Sequence, residues 1–250
     1  MASNSSSWYR FSSPATFYPL AGKMIPWFTV AAAVLAVIGL WVGLWVAPTD
    51  ATQKDSYRII FIHVPSAWLS MFIYLVMAAW GAVYLSFNTK LSAMMAQSLA
   101  PTGALMTFIA LVTGSFWGKP TWGTYWAWAA RMTSELILLF LYLGVIALRN
   151  AIDDPRRADR ACAVLSLVGA INVPIIYFSV KWWNTLHQGA TVSLTAAPKM
   201  ATVMLSGMLI MSFAAWFYSI AVCLWRVRVI MLERERASAW VAELQEVKAR

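Results

Sequence analysis

The chain is organised as long apolar blocks bounded by charged residues. Lys23 to Asp50 encloses 26 residues without Asp, Glu, Lys or Arg, Arg58 to Lys90 encloses 31, and Lys90 to Lys119 encloses 28. Arg160 to Lys181 encloses 20 and Lys199 to Arg226 encloses 26, while the 17 residues between Arg131 and Arg149 contain only Glu135. About 20 apolar residues, each rising ~1.5 Å, cross a hydrocarbon core, so each block predicts one transmembrane helix. The six predicted spans are 25–46, 61–86, 93–115, 132–149, 161–180 and 203–225. Between Lys181 and Lys199 the uncharged stretch is too polar to span, because it holds Asn184, Thr185, His187, Gln188 and Gly189, and it reads as a loop or interfacial segment. The expected organisation is a segment 1–24, a six-helix membrane domain 25–225 and a helical tail 226–250.

An even number of spans puts both termini on one side. That side carries thirteen cations (Arg10, Lys23, Lys90, Arg149, Arg156, Arg157, Arg160, Arg226, Arg228, Arg234, Arg236, Lys248 and Arg250), and the other carries six. The positive-inside rule therefore predicts cytoplasmic termini. The first apolar stretch is too long for a signal-peptide core and has no clear cleavage site after it, so it reads as a retained span. Pro101 and Pro174 fall inside predicted helices and should kink them. In the tail, Trp240, Leu244 and Val247 recur at helical spacing, and the Glu-Arg-Glu-Arg run at 233–236 reads as a solvated face.

Composition agrees with this reading. Of 250 residues, 61% are hydrophobic and 12% charged, about half the charge of a soluble domain. The net charge of +9 is accounted for by cytoplasmic loops and needs no nucleic acid partner. Cys162 and Cys223 lie far apart in apolar stretches, in neither a CxxC nor a CxxCH arrangement, and read as packing residues.

The chemically unusual residues gather in the three outward loops, 47–60, 116–131 and 181–202. Both histidines of the chain map there: His63 at the outer end of the second span and His187 between the fifth and sixth. The middle loop places Trp117, Trp122, Trp126 and Trp128 within twelve residues, interleaved with Gly118, Pro120 and Gly123. Tryptophan is enriched at membrane interfaces, but four interleaved with glycine and proline exceed what an aromatic belt requires. Two imidazoles beside a broad aromatic surface suit haem, whose iron takes axial histidine and whose ring buries a large apolar face. Lys54, Arg58, Lys119, Arg131 and Lys181, on the same side, are candidate partners for its propionates. Zinc would want three or four protein ligands, and copper would more often recruit Met or Cys.

The segment Trp117–Leu136, WGKPTWGTYWAWAARMTSEL, resembles the tryptophan-rich WWD domain of haem-handling proteins. Together with SYRIIFIHVPSAW at 56–68, WWNTLHQG at 182–189, the length and the six spans, it resembles the CcmC family of cytochrome c maturation from about Ile25 to the sixth span. The resemblance implies that His63 and His187 are axial ligands of a transferable haem b, with the Trp-rich loop as its platform. It also implies a bacterial inner-membrane protein that presents haem on the periplasmic face to the chaperone CcmE, beside the ABC-type subunits CcmA and CcmB and the small protein CcmD. On that reading the chain is not itself an enzyme. One position departs from the family pattern Trp-x-Trp-Asp-x-Arg: Ala129 stands where the aspartate is expected, before Arg131. The change removes an acceptor that could fix a Trp N–H, cap the following helix or pair with Arg131. It is expected to weaken chaperone engagement or haem transfer more than membrane insertion.

Glu135 follows Arg131 by one helical turn, a spacing that puts both on one face, and an ion pair orienting the Trp-rich loop is expected. Two rival functions use the same residues. A b-type electron-transfer cytochrome would bury and retain its haem within the bundle. A solute transporter would use the tryptophans as a belt and the histidines as gates.

Overall fold

In the computed structural model, six helical stretches are long and apolar enough to cross a membrane: Pro14–Val46, Asp55–Phe87, Lys90–Trp122, Ala130–Ala151, Pro155–Trp182 and Thr202–Arg234. The structure describes residues 12–183, His187, Val192, Ala197, Pro198 and 200–249, with side chains to residue 246. Among them there is no β-strand, and the fold is that of an all-α, multi-pass membrane protein. Its helices are α1 (Pro14–Trp41, continued by a π-helical turn at Val42–Val46), α2 (Ile60–Phe87, preceded by a 3₁₀ turn at Asp55–Ile59), α3 (Lys90–Trp122) and α4 (Ala130–Ala151). They are followed by α5 (Pro155–Gly169), α6 (Asn172–Trp182), α7 (Thr202–Arg234) and α8 (Ala239–Ala249).

Helix α2 is central: it packs on α3, α5 and α7, while α1 lies against α7 along its length. The main core sets Leu69, Tyr74 and Met77 of α2 against Leu138 and Tyr142 of α4 and Ile176 of α6. Polar groups inside this core are tied to one another, as lipid-buried groups must be. The Tyr142 hydroxyl donates to the Ser70 carbonyl (2.8 Å), and Asn172 donates from Nδ2 to the Ser134 carbonyl (2.8 Å). The two cysteines are free: Cys223 is buried against Thr102, and Cys162 is partly buried against the Val145 carbonyl.

The six spans match the charge-free blocks, but four boundaries differ from the sequence expectation. Helix α1 starts at Pro14, because Ser13 accepts from the Thr16 N–H and Pro14 needs no hydrogen-bond acceptor at the first helical position. Helix α3 runs to Trp122, through Gly118 and Pro120, so Trp117 and Trp122 are helical rather than loop residues. It stops at Gly123, whose φ of +79° closes the last turn through an N–H bond to the Lys119 carbonyl (3.0 Å). The fifth span is broken at residues 170–171 into α5 and α6; Pro174, four residues after Ala170, lacks the N–H that would bond the Ala170 carbonyl. By contrast α3 continues through Pro101.

The fourth difference is at the tail. Helix α7 extends to Arg234, and α8 folds back so that Trp240 packs on Tyr18 (centroids 5.6 Å apart) and Leu244 joins the same cluster. The charged run 233–236 is more than a solvated face, since Arg234 grips Asp159 and Glu235 pairs with Lys90 (2.8 Å). The side chain of Val247 lies outside the described residues, as do Arg10, Asn184, Thr185, Gln188, Gly189, Lys199 and Arg250.

Candidate functional site

The expected site lies at the end of the bundle opposite the termini. His63 stands in the first turn of α2, where the loop 47–59 hands the chain into the helix. That loop is tightly tied. Asp50 accepts from the N–H groups of Thr52 (2.9 Å) and Gln53 (2.7 Å), and the Tyr57 hydroxyl donates to the Pro48 carbonyl (2.7 Å). Its order fixes Gln53, whose Oε1 accepts from the Trp117 indole N–H at 2.6 Å. Trp117 in turn meets the His63 ring edge to face, with centroids 5.6 Å apart.

The same helix, α3, also holds His63 through its preceding turns. Its Nδ1 lies 3.1 Å from the Ala110 carbonyl and 3.1 Å from Thr113 Oγ1. The imidazole comes this close because Gly114 has no side chain; a Cβ there would stand 2.9 Å from His63 Cε1. Sequence reasoning missed Gln53, Ala110, Thr113 and Gly114. They sit where only the packing of α2 on α3 shows that they face His63, and no local motif marks them.

His187 follows α6 and lies against Trp122, with ring centroids 5.9 Å apart. It is also near enough to His63 for a charge on one ring to act on the other, as is Arg131. The structure thus brings His63, Trp117, Trp122, His187 and Arg131 into one region. Trp126 and Trp128 pack against each other at 5.4 Å just before α4, and Trp128 remains largely exposed. The Trp126 indole N–H is buried and has no hydrogen-bond partner among the described residues.

Ala129 is the N-cap of α4. It has the extended backbone of a capping residue (φ −80°, ψ 152°) and no side-chain cap. Arg58 is already engaged: it pairs with Asp55 (3.0 Å) and donates to the Gly43 carbonyl, bracing the loop on α1. Glu135 makes its hydrogen bond elsewhere than to Arg131. It is buried between helices and accepts from the Ser70 hydroxyl at 2.7 Å, a link between α2 and α4, while Arg131 acts on it through space without a close ion pair among the described residues.

The donor set suits a planar, apolar ligand with one metal and peripheral anions. One imidazole is anchored through a single nitrogen, a second ring lies near it, the walls are indoles, and a buried indole N–H and a guanidinium without an ion pair among the described residues are to hand.

Comparison with known proteins gives the same direction. Residues 7–242 match the family profile of CcmC, described as heme exporter protein C. The chain is 45% identical to heme exporter protein C of Escherichia coli (strain K12) over 237 residues, covering 94% of this chain and 95% of the relative. It is 49% identical to heme exporter protein C of Bradyrhizobium diazoefficiens over 203 residues, 81% and 77% of the two chains. A putative cytochrome c biosynthesis ccmC-like mitochondrial protein of Marchantia polymorpha is 44% identical over 167 residues, 67% of this chain and 68% of that one. With a family match across nearly its whole length and such identity to full-length relatives, the chain belongs to the heme exporter protein C family.

Proposed function

We propose that this protein carries haem as cargo in cytochrome c maturation, holding it at the end of the bundle opposite the termini and passing it to a periplasmic chaperone. The observation that carries the reading is the anchoring of His63: its Nδ1 is occupied by α3, leaving Nε2 as the ring nitrogen for iron, with His187 close by. In this reading His63 and His187 take the two axial positions. Trp117, Trp122, Trp126 and Trp128 cover the porphyrin faces and edge, and Arg131 and the Trp126 N–H receive propionate oxygens. Arg58 acts through the loop that it braces. Transfer begins when an incoming ligand on the chaperone exchanges one axial bond, which suits a site built at the membrane edge and open on the side of the exposed Trp128.

The membrane is the bacterial inner membrane, with cytoplasmic termini, as the thirteen-to-six cation asymmetry supports. The partners are a CcmE-like chaperone, CcmA- and CcmB-type subunits and a CcmD-like small protein. The chain itself is not an enzyme, any ATP hydrolysis belonging to the partner complex.

The test is the absorption spectrum of the detergent-purified protein beside His63→Ala and His187→Ala. Each variant is expected to lose the low-spin bis-histidine signal and at least tenfold of its haem per folded molecule. A spectrum indifferent to both substitutions in folded protein would sink the axial assignment.

A further inference from the structure

The hydrogen bonds around His63 bear on which of its two neutral forms the protein selects. Three groups on one turn of α3 surround the ring: the Ala110 carbonyl and Thr113 Oγ1, each 3.1 Å from Nδ1, and Gly114, whose missing side chain lets the ring lie against the helix. A carbonyl oxygen can only accept, so a lone pair on Nδ1 would face a lone pair on Ala110. The Thr113 hydroxyl lies 2.6 Å from the Ile109 carbonyl and 3.3 Å from the Ala110 carbonyl, two acceptors on its own helix that can take its proton and leave its oxygen to accept from His63. Both neighbours therefore ask for a proton on the same nitrogen.

We propose that Thr113 is a positioning residue which, with the Ala110 carbonyl, holds His63 as the Nδ1–H tautomer and so presents Nε2 as its free nitrogen. The proposal deepens the haem reading, since Nε2 would then be the iron-binding atom. Both acceptors are neutral, unlike the carboxylate that commonly backs a metal-bound histidine. The bond that His63 makes to iron is then less strengthened from behind than a carboxylate-backed one, which suits a ligand that must let its cargo go. Thr113 itself touches no cargo in this arrangement; it acts through the imidazole.

The chain contains two histidines, so labelling histidine with ¹⁵N gives two imidazoles to resolve. The experiment uses the full-length, haem-free protein in detergent at mildly alkaline pH, with His187→Gln to identify the His63 signals. In the wild type His63 is expected to show a protonated, pyrrole-type Nδ1 and an unprotonated, pyridine-type Nε2. Thr113→Val removes one of the two acceptors at little change in shape. A hydrogen bond of about 1 kcal/mol corresponds to a roughly fivefold rise in the Nε2–H form, and Thr113→Ser should restore the wild-type ratio.

A wild-type His63 that is mainly Nε2–H overturns the proposal without any variant, so a Thr113→Val protein that fails to fold does not protect it. A folded Thr113→Val protein with unchanged tautomer populations overturns the role of Thr113. Because the readout needs no haem, its failure leaves the haem reading standing. Conversely, a haem spectrum indifferent to the histidines would remove that reading and leave the tautomer as measured.

Discussion

At the end of the bundle that carries the termini, charged side chains are paired with one another across helices. Arg234 of α7 grips both oxygens of the buried Asp159 of α5 (3.1 and 2.6 Å), Arg149 of α4 approaches the same carboxylate at 3.8 Å, and Lys90 of α3 meets Glu235 (2.8 Å). Arg226 donates to Ser98 and Thr102 of α3. At the opposite end the converging groups are rings: His63 on Trp117, His187 on Trp122, Trp126 on Trp128. The one ion pair described there, Arg58 with Asp55, belongs to a loop. Buried charges that neutralise each other fix helix ends in place, around cavities lined by Arg149, Asp159, Arg226 and Arg234. An imidazole held at one nitrogen among indoles keeps its other nitrogen available. The first end is braced by charge pairs, and the second gathers the rings on which the proposed haem reading rests.

The sharpest way to break this contrast is to cut each end at its centre. Asp159→Ala strands Arg234 and Arg149 and should cost about 3 kcal/mol of stability, the usual scale for breaking a buried pair. The measurement is the thermal midpoint in detergent, with haem content per folded molecule unchanged. His63→Ala should do the reverse, losing haem at least tenfold with a much smaller change in midpoint. If Asp159→Ala depleted haem from folded protein as strongly as His63→Ala, the two ends would not be functionally separate.

A smaller effect tests whether the aromatic end is itself pre-ordered. Gln53→Ala removes the acceptor of the Trp117 indole N–H and leaves that donor without its 2.6 Å partner. The cost should be about 1–2 kcal/mol. It should appear as faster haem loss to an apo-haemoprotein acceptor, because the freed Trp117 no longer fixes one side of His63. Haem loss at the wild-type rate would show that loop 47–59 does not take part in the site.

Much of this architecture is legible in the sequence because the hydrocarbon core imposes it. A span must be apolar over about 20 residues whatever it packs against, so five charge-free blocks and a sixth interrupted only by Glu135 mark all six, while their orientation rests on the charge asymmetry alone. The candidate site is legible as composition and motif: two histidines and four tryptophans mapping to one side, within three segments that resemble the family's. The residues that hold His63 are illegible because Ala110, Thr113 and Gly114 are ordinary in a membrane helix and gain their role from the register of α3 against α2. The end of α3 was hidden for a different reason. Gly118 and Pro120 carry local signals for a turn, but Gly123 supplies the left-handed residue that closes the helix, and α3 tolerates the missing proline N–H one turn earlier. For Glu135, spacing finds Arg131 on the same face of α4, but only the packing of α4 on α2 shows the Ser70 hydroxyl that it bonds.

The smallest expected effect concerns Ala129, where the contrast between the ends can be sharpened by adding a charge rather than removing one. Helix α4 starts without a side-chain cap, on a residue whose backbone already has capping geometry. Three residues earlier the Trp126 N–H is buried without an acceptor among the described residues, and two residues later stands Arg131. A carboxylate at 129 would accept from the first-turn N–H groups of α4, lie favourably at the positive end of its dipole and offer an acceptor to the indole. Ala129→Asp should therefore raise stability by about 1 kcal/mol, read as a higher thermal midpoint. It is also expected to speed haem transfer to the chaperone at equal protein abundance, since the Trp126–Trp128 segment would be held at its exposed edge. A gain in stability with unchanged transfer would reduce position 129 to a helix cap. Faster transfer without a gain in stability would mean that the carboxylate acts on the partner or the cargo rather than on the fold. Either result would say whether this end of the bundle, unlike the other, tolerates a charge that the helices themselves do not neutralise.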